Sequence, residues 1–247
     1  SGAFAKADVG AQSSAVVFDI DKDGRDDFVI AGWAPETSMV WFRSATTGLE
    51  RYLIDNRQSH IEAGGAAFDI DGDGDLDLVQ GGSWKTNQLW WWENPHPDHH
   101  PERPWRRHTI KDGGRNQHHD QVIGDFDGDG AAELAFWNQQ AHALFLADIP
   151  ATPRDQAAWD LVEIWSWQKE ACCEGLAKAD IDLDGKLDLI GGGRWFKHSH
   201  DKVFRPEAVD ANYGSSRSVA GAFIEGGQPE IMLGSGAGPG QLNLYEW

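Results

Sequence analysis

The chain has little cysteine, few basic residues and no long apolar run, and each shortage narrows what it can be. Of 247 residues only two are cysteine, the adjacent Cys172 and Cys173. Neighbouring cysteines cannot build an ordinary disulfide framework and say little about redox compartment. Packing is their default role, with a vicinal disulfide or a metal-bound thiolate as alternatives. No stretch is long and apolar enough for a membrane-spanning helix, which excludes membrane insertion by that route. The opening Ser1-Gly-Ala-Phe lacks a charged-then-apolar signal segment, so a mature or truncated form is expected. A Gly-x-Ser-x-Gly elbow, a phosphate loop, a dinucleotide fingerprint and a His-Glu-x-x-His helix are all missing, and those enzyme classes drop out. With 21 Lys and Arg against 40 Asp and Glu, the formal charge is -19. Such a chain repels phosphate backbones, which excludes nucleic acid and anionic membrane as partners.

Acid is what the sequence has in excess, and it is ordered. Four apolar stretches run into one kind of loop: Asp19-Ile-Asp21-Lys-Asp23-Gly24-Arg-Asp-Asp27, Asp69-Ile-Asp71-Gly-Asp73-Gly74-Asp-Leu-Asp77, Asp125-Phe-Asp127-Gly-Asp129-Gly130-Ala-Ala-Glu133 and Asp180-Ile-Asp182-Leu-Asp184-Gly185-Lys-Leu-Asp188. Carboxylates at positions 1, 3 and 5 can point inward together, glycine at 6 permits a sharp turn, and the acid at 9 can close the cage. An oxygen-only set of this kind suits Ca²⁺, which takes six to eight oxygen ligands. The sixteen candidate ligands are therefore Asp19, Asp21, Asp23, Asp27, Asp69, Asp71, Asp73, Asp77, Asp125, Asp127, Asp129, Glu133, Asp180, Asp182, Asp184 and Asp188. The flanking helices and the position-12 Glu of an EF-hand are missing. β-Branched runs on either side read instead as two short strands joined by a metal-binding turn. Four bound Ca²⁺ would bring the formal charge from -19 to about -11, so much of the acidity is structural. Sites of this density work best where free calcium is millimolar, which points to an extracytoplasmic location.

The first acids of successive loops are 50, 56 and 55 residues apart, a period that suits a four-stranded propeller blade. The second repeat shows the strands best, at 64–69, 76–79, 88–93 and 105–110. A fifth copy at 218–233 keeps the blade pattern but has lost the inner acids. The C-terminal stretch 242–247 matches a third strand, and 4–9 can supply the missing fourth strand of that last blade. The expectation is one all-β domain over 1–247, a five-bladed β-propeller of four-stranded blades closed by its N-terminal strand. A segment of a longer propeller is the competing reading.

These loops and strands resemble the FG-GAP and VCBS family of propeller repeats, whose blades carry the Asp-x-Asp-x-Asp-Gly calcium loop. Related blades occur in integrin-like receptors, lectins, polysaccharide lyases and sugar dehydratases, so the resemblance implies fold and calcium more than function. The segments 135–140, 144–150, 174–182 and 191–197 are also similar to the propeller part of aldos-2-ulose dehydratase-like proteins. That similarity implies elimination of water from a keto-sugar, although the cupin-type domains of those proteins have no counterpart here.

If the acid loops join the first and second strands on one face, the connections entering each first strand and leaving each second strand lie on the other, around the channel mouth. The first set brings His60, Glu62, His118, His119, Asp120, Glu174 and Arg217. Imidazoles beside carboxylates and a guanidinium are ingredients of acid–base chemistry or of a transition-metal site. Extended backbone sends His118 and His119 opposite ways, and His119 is the one expected to face the axis. We therefore expect His60, His119 and Arg217 as catalytic residues and Glu62, His119 and Glu174 as a possible second metal set. The other connections contribute Trp33, Trp84, Lys85, Trp137, Arg194, Trp195 and Lys197, expected as sugar-stacking platforms and polar clamps. The His-rich stretch 96–104 reads as an exposed excursion on the calcium face, adventitious for metal binding.

Two functions use these ingredients. One is a lyase or dehydratase in which His119 or His60 removes a proton α to a carbonyl and Arg217 or a metal stabilises the enolate. The other is a lectin-like carbohydrate-binding module with the same aromatic rim and no working base. A protein-interaction propeller is a third, and would need an exposed apolar patch.

Overall fold

The computed structural model of the protein describes residues 12–32, 39–168, 173–213, 216–235 and 240–246. Blade 1 is β1 (Gln12–Phe18), β2 (Asp27–Gly32), β3 (Met39–Ala45) and β4 (Gly48–Asp55), paired in that order. Blade 2 is β5 (Ala66–Phe68), β6 (Asp77–Gly81), β7 (Gln88–Glu93) and β8 (Arg106–Asp112). Blade 3 is β9 (His118–Gly124), β10 (Glu133–Asn138), β11 (Ala143–Asp148) and β12 (Leu161–Ser166), and blade 4 is β13 (Leu176–Ala179), β14 (Asp188–Gly191), β15 (Arg194–His200) and β16 (Val203–Ala208). Blade 5 shows three strands, β17 (Ser216–Gly221), β18 (Glu230–Ser235) and β19 (Leu242–Tyr245). The fold is thus the all-β, five-bladed β-propeller read from the repeat. The expected closing strand at 4–9 lies outside the described residues.

Each acid loop joins the first two strands of its blade, and the register explains its shape. The residue before the loop pairs with the position-9 acid: Phe18 with Asp27, Phe68 with Asp77 and Ala179 with Asp188. In blade 5 Gly221 pairs with Glu230 in the same way. Position 9 is therefore the first residue of the second strand, held under the loop it closes.

The chain divides into two compact units, one of residues Ser1–His118 with Pro150–Ala158 and the other of His119–Ile149 with Trp159–Trp247. In the first, Phe18, Ile20, Trp41, Ile54, Leu78, Trp90, Trp92 and Trp105 form the core. In the second, Phe126, Trp137, Leu144, Leu189 and Phe196 form one cluster, and Ile181, Ile190, Trp195, Ile231 and Leu233 another. Fully burying a Leu- or Phe-sized side chain contributes about 1.5–3 kcal/mol, so these alternating inward faces carry most of the stabilisation. No helix among the described residues is long and apolar enough to cross a membrane.

Candidate functional site

The acid loops are built by their own carboxylates. At position 1, Asp19, Asp69, Asp125 and Asp180 each accept the amide of the position-6 glycine, at 2.9, 3.0, 3.1 and 2.8 Å. Those glycines, Gly24, Gly74, Gly130 and Gly185, have φ of 85, 93, 90 and 87°. A Cβ added at any of the four meets nothing within 4 Å, so glycine is there for its left-handed backbone and not for space. Position 4 is left-handed as well, through Gly72 and Gly128 but also through Lys22 (60°) and Leu183 (57°).

In every loop the acids at positions 1, 3 and 9 bring one oxygen each within 4.8 Å of one another. Only loop 3 adds its position-5 acid, so that Asp125, Asp127, Asp129 and Glu133 converge together. Asp23, Asp73 and Asp184 stand outside their groups. The position-9 acids are buried, and desolvation pushes Asp77 up to about 8, Glu133 to about 7 and Asp188 to about 6. Asp27 is raised by the same cause. Asp182 Oδ1 is buried with no hydrogen-bond partner. An all-oxygen donor set that converges on one point, with its position-9 acid desolvated, fits a hard cation such as Ca²⁺.

Among the described residues, groups of three or more ligand atoms close enough to share an ion occur only in these loops. The expected second metal set of Glu62, His119 and Glu174 is not one of them. Cys172, the expected neighbour of the buried Cys173, lies outside the described residues.

In the first unit the segment between β4 and β5 carries His60 and Glu62. It is anchored by Asp55, fully buried, which accepts from Arg57 Nε (2.8 Å), the Arg57 amide (2.8 Å), Trp92 Nε1 (2.9 Å) and Arg107 Nη1 (3.4 Å). Arg107 also donates to Ser59 Oγ at 2.7 Å and stacks over Trp90. His60 is half-buried with φ of 49°, and its Nδ1 has no partner. Its carbonyl accepts the Ser83 amide, and Glu62 accepts the Ala63 amide. Trp84 is 50 % exposed with Lys85 Nζ 5.1 Å from its ring centroid. His118 is buried with Nδ1 3.1 Å from the Gly82 carbonyl, which fixes the proton on that nitrogen.

In the second unit His119, Asp120, Glu174 and Arg217 share one electrostatic neighbourhood. Asp120 sits at φ 47° and accepts the Gly175 amide at 2.9 Å. Burial raises its carboxyl above the usual range and Glu174 adds to the effect, while the Gly175 amide, His119 and Arg217 oppose it. His119 is buried and Arg217 is exposed at the start of β17.

Several expected platforms are placed elsewhere. Trp137 and Trp195 are buried in the two cores of this unit, because the alternation of β10 and β15 turns their rings inward. Lys197 is not at the mouth: it pairs with Asp182 and Asp184 of acid loop 4, three residues along β15 from Arg194 and about 10 Å nearer the other end of the blade. Arg194 stays with its expected connection and lies 4.9 Å from the ring of half-buried Trp165, a platform the sequence reading missed. Trp33 lies outside the described residues.

The His-rich stretch is exposed at 97, 98 and 100–104, as expected, but not at two of its histidines. His96 and His99 are half-buried, with His99 Nε2 2.7 Å from Asn94 Oδ1 and its ring 5.3 Å from Trp41. They line a recess of about 330 Å³ beside acid loop 1 with Asp21, Trp41, Arg43, Tyr52 and Pro97.

Residues 69–136, which hold acid loops 2 and 3, match the FG-GAP-like repeat family. That segment is FG-GAP-like. Blades 1 and 4 share the loop geometry of that matched segment, and blade 5 keeps the strand pairing without the inner acids. A comparison with curated proteins gives no match. Among solved structures, the V. cholerae biofilm matrix protein Bap1 is similar in fold, with a TM-score of 0.51 and 16 % identity over 90 % of this chain and 35 % of Bap1. The exotype rhamnogalacturonan lyase YesX aligns over 96 % of this chain and 47 % of its own, with 14 % identity and a TM-score of 0.49. The chain therefore spans less than half the length of either, and the likeness to Bap1 is one of fold.

Proposed function

We propose that the chain is a calcium-stabilised, carbohydrate-active propeller of the lyase or dehydratase type, working outside the cytoplasm. The observation that carries the reading is the grouping of His119, Asp120, Glu174 and Arg217 at the entry to the blades of the second unit. Calcium, held by the acid loops, supplies counter-charge to the turns that fasten the blades. The chemistry falls to this chain's side chains. His119 removes a proton α to a carbonyl or carboxylate of a bound sugar, and the electron pair enters the enolate that Arg217 stabilises. Collapse of the enolate breaks the β C–O bond. Asp120, whose carboxyl is raised above the usual range by burial, donates to the leaving oxygen. His60 belongs to the other unit, and the proposal gives it no step. Similarity of 135–140 and 174–182 to dehydratase-like propellers supports the same class.

The test is a screen of keto-sugars and uronate-containing glycans followed by mass spectrometry. Elimination appears as a product lighter by one water or as a cleaved unsaturated end, and His119→Ala abolishes it with sugar affinity kept. Binding of an unchanged sugar, indifferent to His119→Ala, would sink the lyase reading. It would favour a lectin instead, for which Trp84 beside Lys85 is the supporting observation.

A further inference from the structure

The four acid loops are near-copies, yet three of them are already paired with a cation supplied by the chain. Arg43 Nε donates to Asp21 and its Nη2 lies 3.5 Å from Asp23 in loop 1. Arg154 Nη2 lies 2.6 Å from Asp71 and 3.0 Å from Asp73 in loop 2. Lys197 Nζ contacts Asp182 and lies 3.2 Å from Asp184 in loop 4. In each case the basic group takes the acids at positions 3 and 5, and in each the position-5 acid is the one that has left the converging set. Loop 3 has no such partner among the described residues, and it alone brings all four acids together.

Sheet register gives the reason. Phe28, Leu78, Leu134 and Leu189, each one residue past position 9, pair with Phe42, Trp92, Ala147 and Phe196 on the third strand. The next residue on that strand is Arg43, Glu93, Asp148 and Lys197 in blades 1 to 4. Where it is basic, in blades 1 and 4, it reaches the loop directly. In blade 2 it is Glu93, which holds Arg154 Nε at 3.2 Å and so fixes an arginine from the 150–158 segment over the loop. In blade 3 it is Asp148, which adds negative charge and itself engages Lys202, a lysine lining the recess beside Asp127 and Asp129.

We propose that this one strand position grades the loops for calcium: Arg43, Arg154 and Lys197 are tethered cations that compete with the ion for loops 1, 2 and 4, and Asp148 leaves loop 3 as the tight site. Their side chains are 34, 39 and 31 % exposed, so each can swing into water when an ion displaces it. The inference rests on the calcium reading of the loops but goes beyond it, since that reading alone predicts four similar sites.

Calorimetric calcium titration of the metal-stripped protein tests it. One site should bind tighter than the rest, and Asp127→Asn should remove that site alone. Arg43→Gln, Arg154→Gln and Lys197→Gln should each strengthen one weak site by about threefold or more, the scale on which exposed ion pairs act. Asp148→Arg should convert the tight site into a weak one. Circular dichroism of each variant establishes that it is folded. Four equal sites, unmoved by the three glutamine variants, would overturn the proposal and leave calcium binding standing. Absence of binding in wild type and in every variant would overturn both.

Discussion

Asp55 is where a single atom change should cost most for its size. Its side chain is fully buried at the end of β4, and its two oxygens receive both guanidinium groups of Arg57 and Arg107 and the indole of Trp92. Asp55→Asn keeps the shape, removes the charge, and turns one acceptor into a donor facing donors. Breaking a buried ion pair from one side costs about 3–5 kcal/mol, most of it the stranded partner charge. The two partners differ in what they can recover. Arg57 is 47 % exposed and can return to water, whereas Arg107 is 19 % exposed and its guanidinium is already disfavoured by burial and by Arg57. We therefore take the lower end, about 3 kcal/mol, equivalent to a fall in Tm of about 6–12 °C for a chain of this size. Urea midpoints and thermal melts read it, with Arg57→Gln as a control expected to cost under about 1 kcal/mol. Adding Arg107→Met, which keeps an apolar stem over Trp90, should recover part of the loss in a double-mutant cycle. A loss below about 1 kcal/mol in Asp55→Asn, or additivity in the cycle, would refute the account of Asp55 as the anchor of the His60 and Glu62 segment.

The acid loops make a linked prediction for metal and pH. Burial raises Asp77 to about 8 and Glu133 to about 7 in the metal-free protein, so the folded state holds protons that the unfolded chain releases, and metal-free stability falls as pH rises from 6 to 8. Calcium needs the ionised forms, so its stabilisation grows over the same interval, reaching about 2.7 kcal/mol per site where calcium is in hundredfold excess over Kd. Melts with calcium and with chelator should diverge between pH 6 and 8; coincident melts at pH 8 would remove the metal assignment. For the aromatic rim, Trp84→Ala should weaken sugar binding with little change in Tm, while Trp195→Ala, buried in a core, should cost about 3–5 kcal/mol of stability. Equal Tm for the two variants would contradict the packing described for Trp195.

The acid loops were legible because their chemistry is local. Positions 1, 3, 5, 6 and 9 fall within nine residues, and the sharp turn at Gly24 or Gly130 follows from the spacing alone. Legibility fails where the partner is distant or the side-chain direction is set by register. Arg154 bonds Asp73 from 81 residues away, and nothing near loop 2 announces it. Trp84, Trp137 and Trp195 look alike as rim tryptophans, but only Trp84 lies beyond the strand that would turn it inward. Lys197 follows Trp195 and Phe196 so closely that it reads as one rim cluster, yet three residues of extended chain carry it to the opposite end of the blade. The stretch 96–104 read as a solvated loop from its prolines and charged residues, and most of it is exposed; what local polarity could not show is that Trp41 and Trp105 give the His99 ring something to pack on.

Blade 5 separates the two tasks that the acid loop performs. It has lost the acids of positions 1, 3 and 5 but keeps Glu230, which accepts the amides of Phe223 at 2.6 Å and Ile224 at 3.3 Å. Glu133 does the same in blade 3, for Phe126 at 2.8 Å and Asp127 at 3.4 Å. The shorter Asp27 and Asp77 reach one loop amide each, at Ile20 and Ile70, and spend the other oxygen on the amide of Ser44 in β3 and of Asn94 just past β7. Asp188 accepts from Ile181 and from Trp195. Five blades thus keep a carboxylate at position 9, and in all five it satisfies backbone amides that the turn would otherwise bury without a partner. The position-9 acid is therefore a fold device before it is a candidate metal ligand. That order explains how blade 5 can shed its inner acids and remain a blade. It also explains why cations tethered at loops 1, 2 and 4 engage positions 3 and 5 and leave position 9 to the backbone.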